Sequence, residues 1–461
     1  MKELCGSVVA EYVSLFLNEQ FQNKFNIYFN GKGSYEVTVD GVKTDLLFKA
    51  YPFWEKEKPE LLKDFSSQTL LFGEDVPGTV FFFLSGYFEY ISPDKKDVWG
   101  NFPGKESFQE KFGLARIPVA DLLIEEGIVN KLNRERFDIK LRNDRPLFFL
   151  THDVDLLGYY KANSKVKVLA GDILKRRNLK EFFGNLKNII SANDPCEVDY
   201  VLSKSISRNI KSTFFFMAEK NVGKYYGGYD INKYRDYLKG KSESIIKAGG
   251  DVGLHYGVNH LEKSRLKNEV TSLERVLGRS IKSGRAHYLI FDCAKSFGEY
   301  EKSGIALDST GGFSDIIGFR FGTCKLFRPF DFCAMKASSV IEAPLIIMDG
   351  TLKDTFFMNL SCEKAVELSK ELIDTIFKYR GVFTLLWHNT SFFRDGWNRW
   401  EGVYESILDY TMEKKFVSVN GRDIINIFDG GIIGTSSIMY RKKATLILFL
   451  PEVFILRIFC R

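Results

Sequence analysis

The chain has 461 residues, which makes two domains the default, and its 45% hydrophobic and 27% charged residues exclude a mostly disordered chain. A net charge of +6 over this length does not single out nucleic acid, and no nucleic-acid partner is expected. Seven scattered cysteines without a CxxC pair read as a reduced inventory, and no signal peptide is seen, so a cytoplasmic location is expected.

The 42 Phe and 21 Tyr predict a Phe-rich core. Residues 1–142 read as one mixed α/β, strand-containing unit without catalytic spacing. Within it, Ser34–Val42 (SYEVTVDGV) alternates like an edge hairpin, and Val80–Leu84 (VFFFL) suits a buried strand or a buried helix equally. From Arg145 the pattern changes. Pro146–Leu150 (PLFFL), Ser212–Met217 (STFFFM), Gly249–His255 (GGDVGLH) and Gly381–Trp387 (GVFTLLW) are short runs that read as buried strands. Between them, Leu266, Val270, Leu273 and Leu277 form a helical stripe ended by Gly278, and Ala365, Leu368, Leu372 and Ile376 form another. Strands alternating with amphipathic helices predict βα units and a parallel sheet or barrel over 143–430. In such folds, chemistry sits at the C-terminal ends of the strands. A basic, apolar tail follows at 431–461. Its Thr445–Cys460 run falls short of a span and is broken by Pro451, Glu452 and Arg457.

All five histidines, His152, His255, His260, His287 and His388, lie in the second unit, and three of them close or follow strand-like runs. Thr151-His152-Asp153-Val154-Asp155 adds two carboxylates that share one side of a strand. Two such carboxylates do not both ionise cheaply unless a cation takes one. A divalent metal on one Asp and one or two imidazoles would acidify a water, leaving the other Asp as base and His388 as proton donor. This is a layout for metal-assisted amide or ester hydrolysis. A DxD pair also binds metal and diphosphate in sugar-nucleotide transferases, so a glycosyltransferase stays open.

These motifs, in order over residues 145–428, resemble the polysaccharide deacetylases, carbohydrate esterase family 4 with its NodB-type domain, and most nearly a bacterial subgroup with an extra N-terminal domain. Thr151–Asp155 resembles the first motif, which implies Asp153 as catalytic base and Asp155 as metal ligand. Gly253-Leu254-His255 resembles the second, whose histidine binds metal. The family places another histidine four residues on, where this chain has Asn259 and then His260. A step of five turns a helix by about 500° rather than roughly 400°, so His260 is a ligand only if the helix starts after Asn259. Arg285-Ala286-His287-Tyr288-Leu289 resembles the third motif, whose arginine orients the base. Leu386-Trp387-His388-Asn389 resembles the last, whose histidine is the general acid. Asp308-Ser309-Thr310 and Gly318–Cys324 resemble subgroup features near the site, and Val80–Tyr90 and Arg116–Val119 resemble the companion domain.

The resemblance implies a distorted (β/α)7-type barrel after a smaller mixed α/β domain. It implies a zinc-dependent hydrolase removing acetyl from an N-acetylated sugar of a glycan or lipid-linked precursor. The metal set would be Asp155, His255 and His260, and the catalytic set Asp153, His388 and Arg285. Trp387, His287, Tyr288 and Arg320 are the expected substrate contacts. The alternative is a glycan-binding protein on a decayed deacetylase fold. Trp387, Trp397 and Trp400 suit a sugar platform or a core equally. Lys161–Lys180 reads as a solvated face, and the tail with Arg441, Lys442 and Lys443 as a packed element or a peripheral membrane contact.

Overall fold

The computed structural model describes residues 3–157, 169–174, 177–190, 198–220, 225, 227–392 and 400–430. Near the N-terminus, helix Gly6–Gln20 packs on an antiparallel sheet of β1 (Phe25–Phe29), β2 (Ser34–Val39) and β3 (Val42–Lys49). Along β2, Tyr35, Val37 and Val39 are buried, and the two-residue turn Asp40-Gly41 has φ of 52° and 82°, which suits a tight hairpin. A small pair, β4 (Phe65–Ser66) and β5 (Leu71–Phe72), follows. Val80–Leu84 is helical. Asp75 caps helix Val76–Leu84 by accepting from the Gly78 amide, Pro77 sits in its first turn, and all nine residues are buried. Around that helix the Phe surplus becomes an interlocked core. Phe72–Phe82, Phe82–Phe108 and Phe65–Phe108 meet edge to face at 4.9, 4.8 and 4.9 Å.

The later apolar runs form β6 (Leu147–Val154), β7 (Ser212–Met217), β8 (Asp251–Tyr256), β9 (Ser283–Ala286) and β10 (Leu307–Asp308). After an antiparallel ribbon of β11 (Phe330–Asp331) and β12 (Lys336–Ala337) come β13 (Ile341–Glu342), β14 (Ile347–Met348), β15 (Val382–Leu386) and β16 (Val417–Ser418). Among the described residues the main sheet has nine strands in the order β13-β10-β9-β8-β7-β6-β15-β14, with β16 on the start of β6, and all these pairs are parallel. β13 and β14 stand at opposite edges yet are four residues apart in the chain. Ile341–Met348 therefore pairs with β10 at one end and with β15 at the other. The sheet is curled as a half-barrel, which fits a distorted barrel, with that stretch linking its two edges and several strands only two residues long. Both predicted stripes are helices: Arg265–Leu277, stopped by Gly278 at φ 67°, and Cys362–Tyr379, capped by Ser361.

The N-terminal region is seated on the barrel along residues 312–324. The Asp121 carboxylate accepts from the Thr323 hydroxyl at 2.7 Å and the Cys324 amide at 2.8 Å. The Ala115 carbonyl accepts from the Phe319 amide at 2.7 Å, and Asp315 accepts from the Gly104 amide at 2.7 Å. Arg320, expected to touch substrate, is instead buried in this seam. It pairs with Glu89, donates to the Gly312 carbonyl and lies over the Phe291 ring at 4.7 Å.

Among the described residues no helix is long and apolar enough to cross a membrane. Cys5, Cys293, Cys324, Cys333 and Cys362 are free thiols. Lys161, Lys165, Lys167, Lys175 and Arg176 of the basic stretch, Trp397 and the tail 431–461 lie outside the described residues.

Candidate functional site

Parallel strands aim their C-terminal ends at one rim, and the titratable residues gather there. β6 ends in Asp153 and leads to Asp155. Beside it lie β8 with His255 and β9 with Arg285, followed by His287. On the other flank β14 runs into Asp349 and β15 into Trp387 and His388. The register pairs His255 with Arg285 across β8 and β9.

Asp155 Oδ1 lies 3.3 Å from His255 Nε2 and 3.6 Å from His287 Nδ1, and those two nitrogens are 2.9 Å apart. Asp155, His255 and His287 are the one set among the described residues whose donor atoms could share a metal ion. His255 Nδ1 lies 3.0 Å from the Arg285 carbonyl. A carbonyl only accepts, so Nδ1 carries a proton and Nε2 is the nitrogen that faces the cluster. Asp155 Oδ1 is buried without a hydrogen-bond partner among the described residues. Burial pushes the Asp155 carboxyl up, but His287, His255 and His388 outweigh that and hold it below the usual carboxylate range. One carboxylate and two imidazoles around a buried, unsatisfied oxygen fit a zinc-class divalent cation.

His260 stands outside this set, contrary to the expectation that it is a ligand. Its Nδ1 faces the Gly257 carbonyl at 2.8 Å and its Nε2 faces the Tyr300 hydroxyl at 3.4 Å. Burial lowers its pKa to about 4. The ring belongs to the core, and His287, expected among the substrate contacts, lies instead in the cluster that could hold a metal ion.

Asp153 is held by Arg285. The guanidinium donates to Asp153 Oδ1 at 3.0 Å, to Thr151 Oγ1 at 2.8 Å and, through its remaining nitrogens, to Ser309 O and Oγ at 2.7 and 2.9 Å. Thr310 Oγ1 accepts from the Ala286 amide at 3.0 Å. Asp308–Thr310 thus braces the end of β9, which gives that sequence feature a structural role. Asp153 Oδ2 lies 3.6 Å from His255 Nε2.

His388 stands on the opposite side. Its Nδ1 lies 2.7 Å from Asp349 Oδ1, its own amide donates to Asp349 Oδ2 at 2.8 Å, and its Nε2 faces Asp155 Oδ2 at 3.9 Å. Burial pushes the imidazole down, but Asp349 and Asp155 outweigh it and raise the pKa to about 10. Asp349 was not singled out in the sequence. Its signal is an Asp directly after the apolar run Leu345–Met348, the same strand-end position as Asp153. Trp387, an expected substrate contact, is fully buried against Tyr404 at 5.1 Å and is a core residue. Trp400 is also buried. Tyr288 is half-exposed, touches His287 at 4.3 Å and stacks on Trp99 at 4.7 Å.

A family model, DUF7033, a family of unknown function, matches residues 9–135. No curated protein matches the chain. Among solved structures, a protein named as a polysaccharide deacetylase from Mycobacterium smegmatis is 17% identical, with 62% of this chain and 90% of that one aligned at a TM-score of 0.40. A polysaccharide deacetylase from Bacillus cereus is 12% identical over 60% of this chain and 92% of that one, at 0.32. A pseudoenzyme of carbohydrate esterase family 4 from Bacillus anthracis is 10% identical over 61% of this chain and 66% of that one, at 0.26.

Proposed function

We propose that the chain is a metal-dependent deacetylase acting on an N-acetylated sugar of a glycan or lipid-linked glycan precursor in the cytoplasm, with residues 1–142 and 143–430 as its two domains. One observation carries the reading: Asp155, His255 and His287 converge beside an arginine-held Asp153 and face a carboxylate-held His388. Asp155, His255 and His287 would hold the ion. Bound there, zinc would supply a polarised acetamide carbonyl and an acidified water. Asp153 accepts the proton of the attacking water. Arg285 keeps that carboxylate aimed, because its remaining donors are anchored on Thr151 and Ser309. His388 enters protonated and delivers its Nε2 proton to the departing amine, while Asp349 holds the ring from Nδ1.

The test is acetate release from N-acetylated glycans by the zinc- or cobalt-loaded chain, with Asp153→Asn beside it. Asp153→Asn is expected to keep the ion and lose on the order of 10³-fold in turnover. Loss of the ion as well would exchange the roles of the two aspartates. A chain that binds ion and glycan but releases no acetate would be the glycan-binding reading. Tight, metal-dependent binding of a sugar nucleotide would instead mark a glycosyltransferase.

A further inference from the structure

His287 begins a turn that the barrel alone does not complete. Tyr288 and Leu289 follow it at φ 57° and 53°, in the left-handed region that side chains other than Gly rarely adopt. Asn101, from the N-terminal region and nearly fully buried, spans this turn. Its Nδ2 donates to the Tyr288 carbonyl at 2.7 Å, and its Oδ1 accepts from the Phe291 amide at 3.3 Å. Two residues earlier, Trp99 lies flat on Tyr288, with ring centroids 4.7 Å apart and planes 22° apart. The loop that presents both is itself fixed. Asp97 Oδ1 accepts from the Trp99 and Asn101 amides, each at 2.8 Å, and the Asp97 amide donates to the Asn101 carbonyl at 2.7 Å.

We propose that Asn101, with Trp99 stacked on Tyr288, is a positioning residue: the N-terminal region clamps the His287–Phe291 turn and so sets the third nitrogen of the metal centre. The proposal rests on the reading of Asp155, His255 and His287 as ligands. Asn101 touches neither ion nor substrate. It acts by pinning the carbonyl and amide that flank the turn, which leaves His287 Nδ1 2.9 Å from His255 Nε2. Separating the N-terminal region from the barrel would then cost the site a ligand rather than only stability.

Titration of the full-length apo chain with Co2+, followed by visible absorption and by competition with Zn2+, tests this without an activity assay. The unmodified chain is expected to bind one Co2+. Asn101→Leu, close in volume but unable to make either hydrogen bond, is expected to bind at least tenfold more weakly with an altered visible band. Trp99→Ala, at a half-exposed position, is the second variant should Asn101→Leu not fold, and is expected to weaken binding severalfold. Gln20→Leu is the control. It breaks a comparable bond between the regions, from Gln20 Nε2 to the Leu326 carbonyl at 2.9 Å, away from the turn, and should lower the melting temperature while leaving the cobalt band and affinity intact. An Asn101→Leu chain with unchanged band and affinity overturns the clamp and leaves the metal centre standing. Equal weakening by Gln20→Leu also overturns it, since the effect would then be general. An unmodified chain that binds no Co2+ removes the metal reading and the clamp together.

Discussion

What an imidazole does at this rim depends on what its other nitrogen touches. His255 donates from Nδ1 to a carbonyl, which leaves Nε2 as the atom that would meet a cation, whereas His388 donates from Nδ1 to a carboxylate and is held charged. His152 faces the Trp387 carbonyl at 2.8 Å, and burial takes its pKa down to about 4, so it is a neutral core ring. The same logic separates His260 from His287. His287→Ala should cut divalent-ion affinity by more than about 100-fold, a loss larger than second-sphere changes give. His260→Ala should leave that affinity within about threefold and cost roughly 2–4 kcal/mol of stability by emptying a packed site. Ion titration and denaturant unfolding of both variants check the pair, and similar affinity losses would return His260 to the metal set. In the proposed mechanism Asp349 sets the acid. Its charge is the first of those that raise His388 against burial, so without it His388 deprotonates at lower pH. In Asp349→Asn the alkaline limb of the turnover profile should therefore move to lower pH, with at least a tenfold loss at pH 8. An unmoved limb would detach Asp349 from the acid.

At the scale of elements, legibility in the sequence follows burial. Ser212–Met217 and Gly381–Trp387 lie in a sheet covered on both faces, so their side chains need no alternation and the run itself marks the strand. Val80–Leu84 is just as apolar and is a helix. Only Asp75 and Pro77 ahead of it tell the difference. Asp153, Asp155, His255 and His388 could be placed because each closes a long run. Asp349 follows a strand of two residues, marked only by the short apolar run Leu345–Met348, and His287 follows one of four without a strong apolar pattern, so their strand-end signals are weaker. His260 misled because spacing says nothing of what a turn does: Gly257–His260 closes on itself and sends the ring toward Tyr256 and Tyr300. The helix after that turn carries a prediction. Glu269 on Arg265–Leu277 is buried, accepts from the Gly257 amide at 2.8 Å, and has its pKa raised to about 7, by burial first and by Glu219 against Arg265 next. A carboxyl raised on folding favours the folded state while protonated. Stability should therefore fall as pH rises from about 4.5, the unfolded value, to about 7, and level off above. The span is on the order of 3 kcal/mol. Glu269→Gln should remove this part of the slope, measured by urea unfolding between pH 4 and 8. An identical slope in the variant would assign it elsewhere.

For the whole molecule, the N-terminal region and the barrel share one continuous apolar core, and the seam between them is built on backbone. That makes docking sensitive to single atoms. Gly318 has φ 135°, and a Cβ there would stand 2.0 Å from the Ala115 carbonyl oxygen, which already accepts from the Phe319 amide at 2.7 Å. Gly322, at φ 62°, brings the same strand of chain against Phe83 and lends its carbonyl to the Ala120 amide at 2.8 Å. Neither the dihedral nor the carbonyl can yield without opening the seam. Gly318→Ala should therefore cost on the order of 3 kcal/mol or more, a strained dihedral plus a backbone clash. The loss should be local in kind. Hydrogen exchange should quicken at Phe319, Ala120 and Cys324, whose amides bridge the two regions, while amides of β6, β7 and β8 keep their protection because their ladders lie within the barrel. If exchange instead rises equally in those central strands, the two regions unfold as one unit and the seam has no stability of its own. If nothing changes, the backbone at Gly318 is more accommodating than a 2.0 Å approach allows.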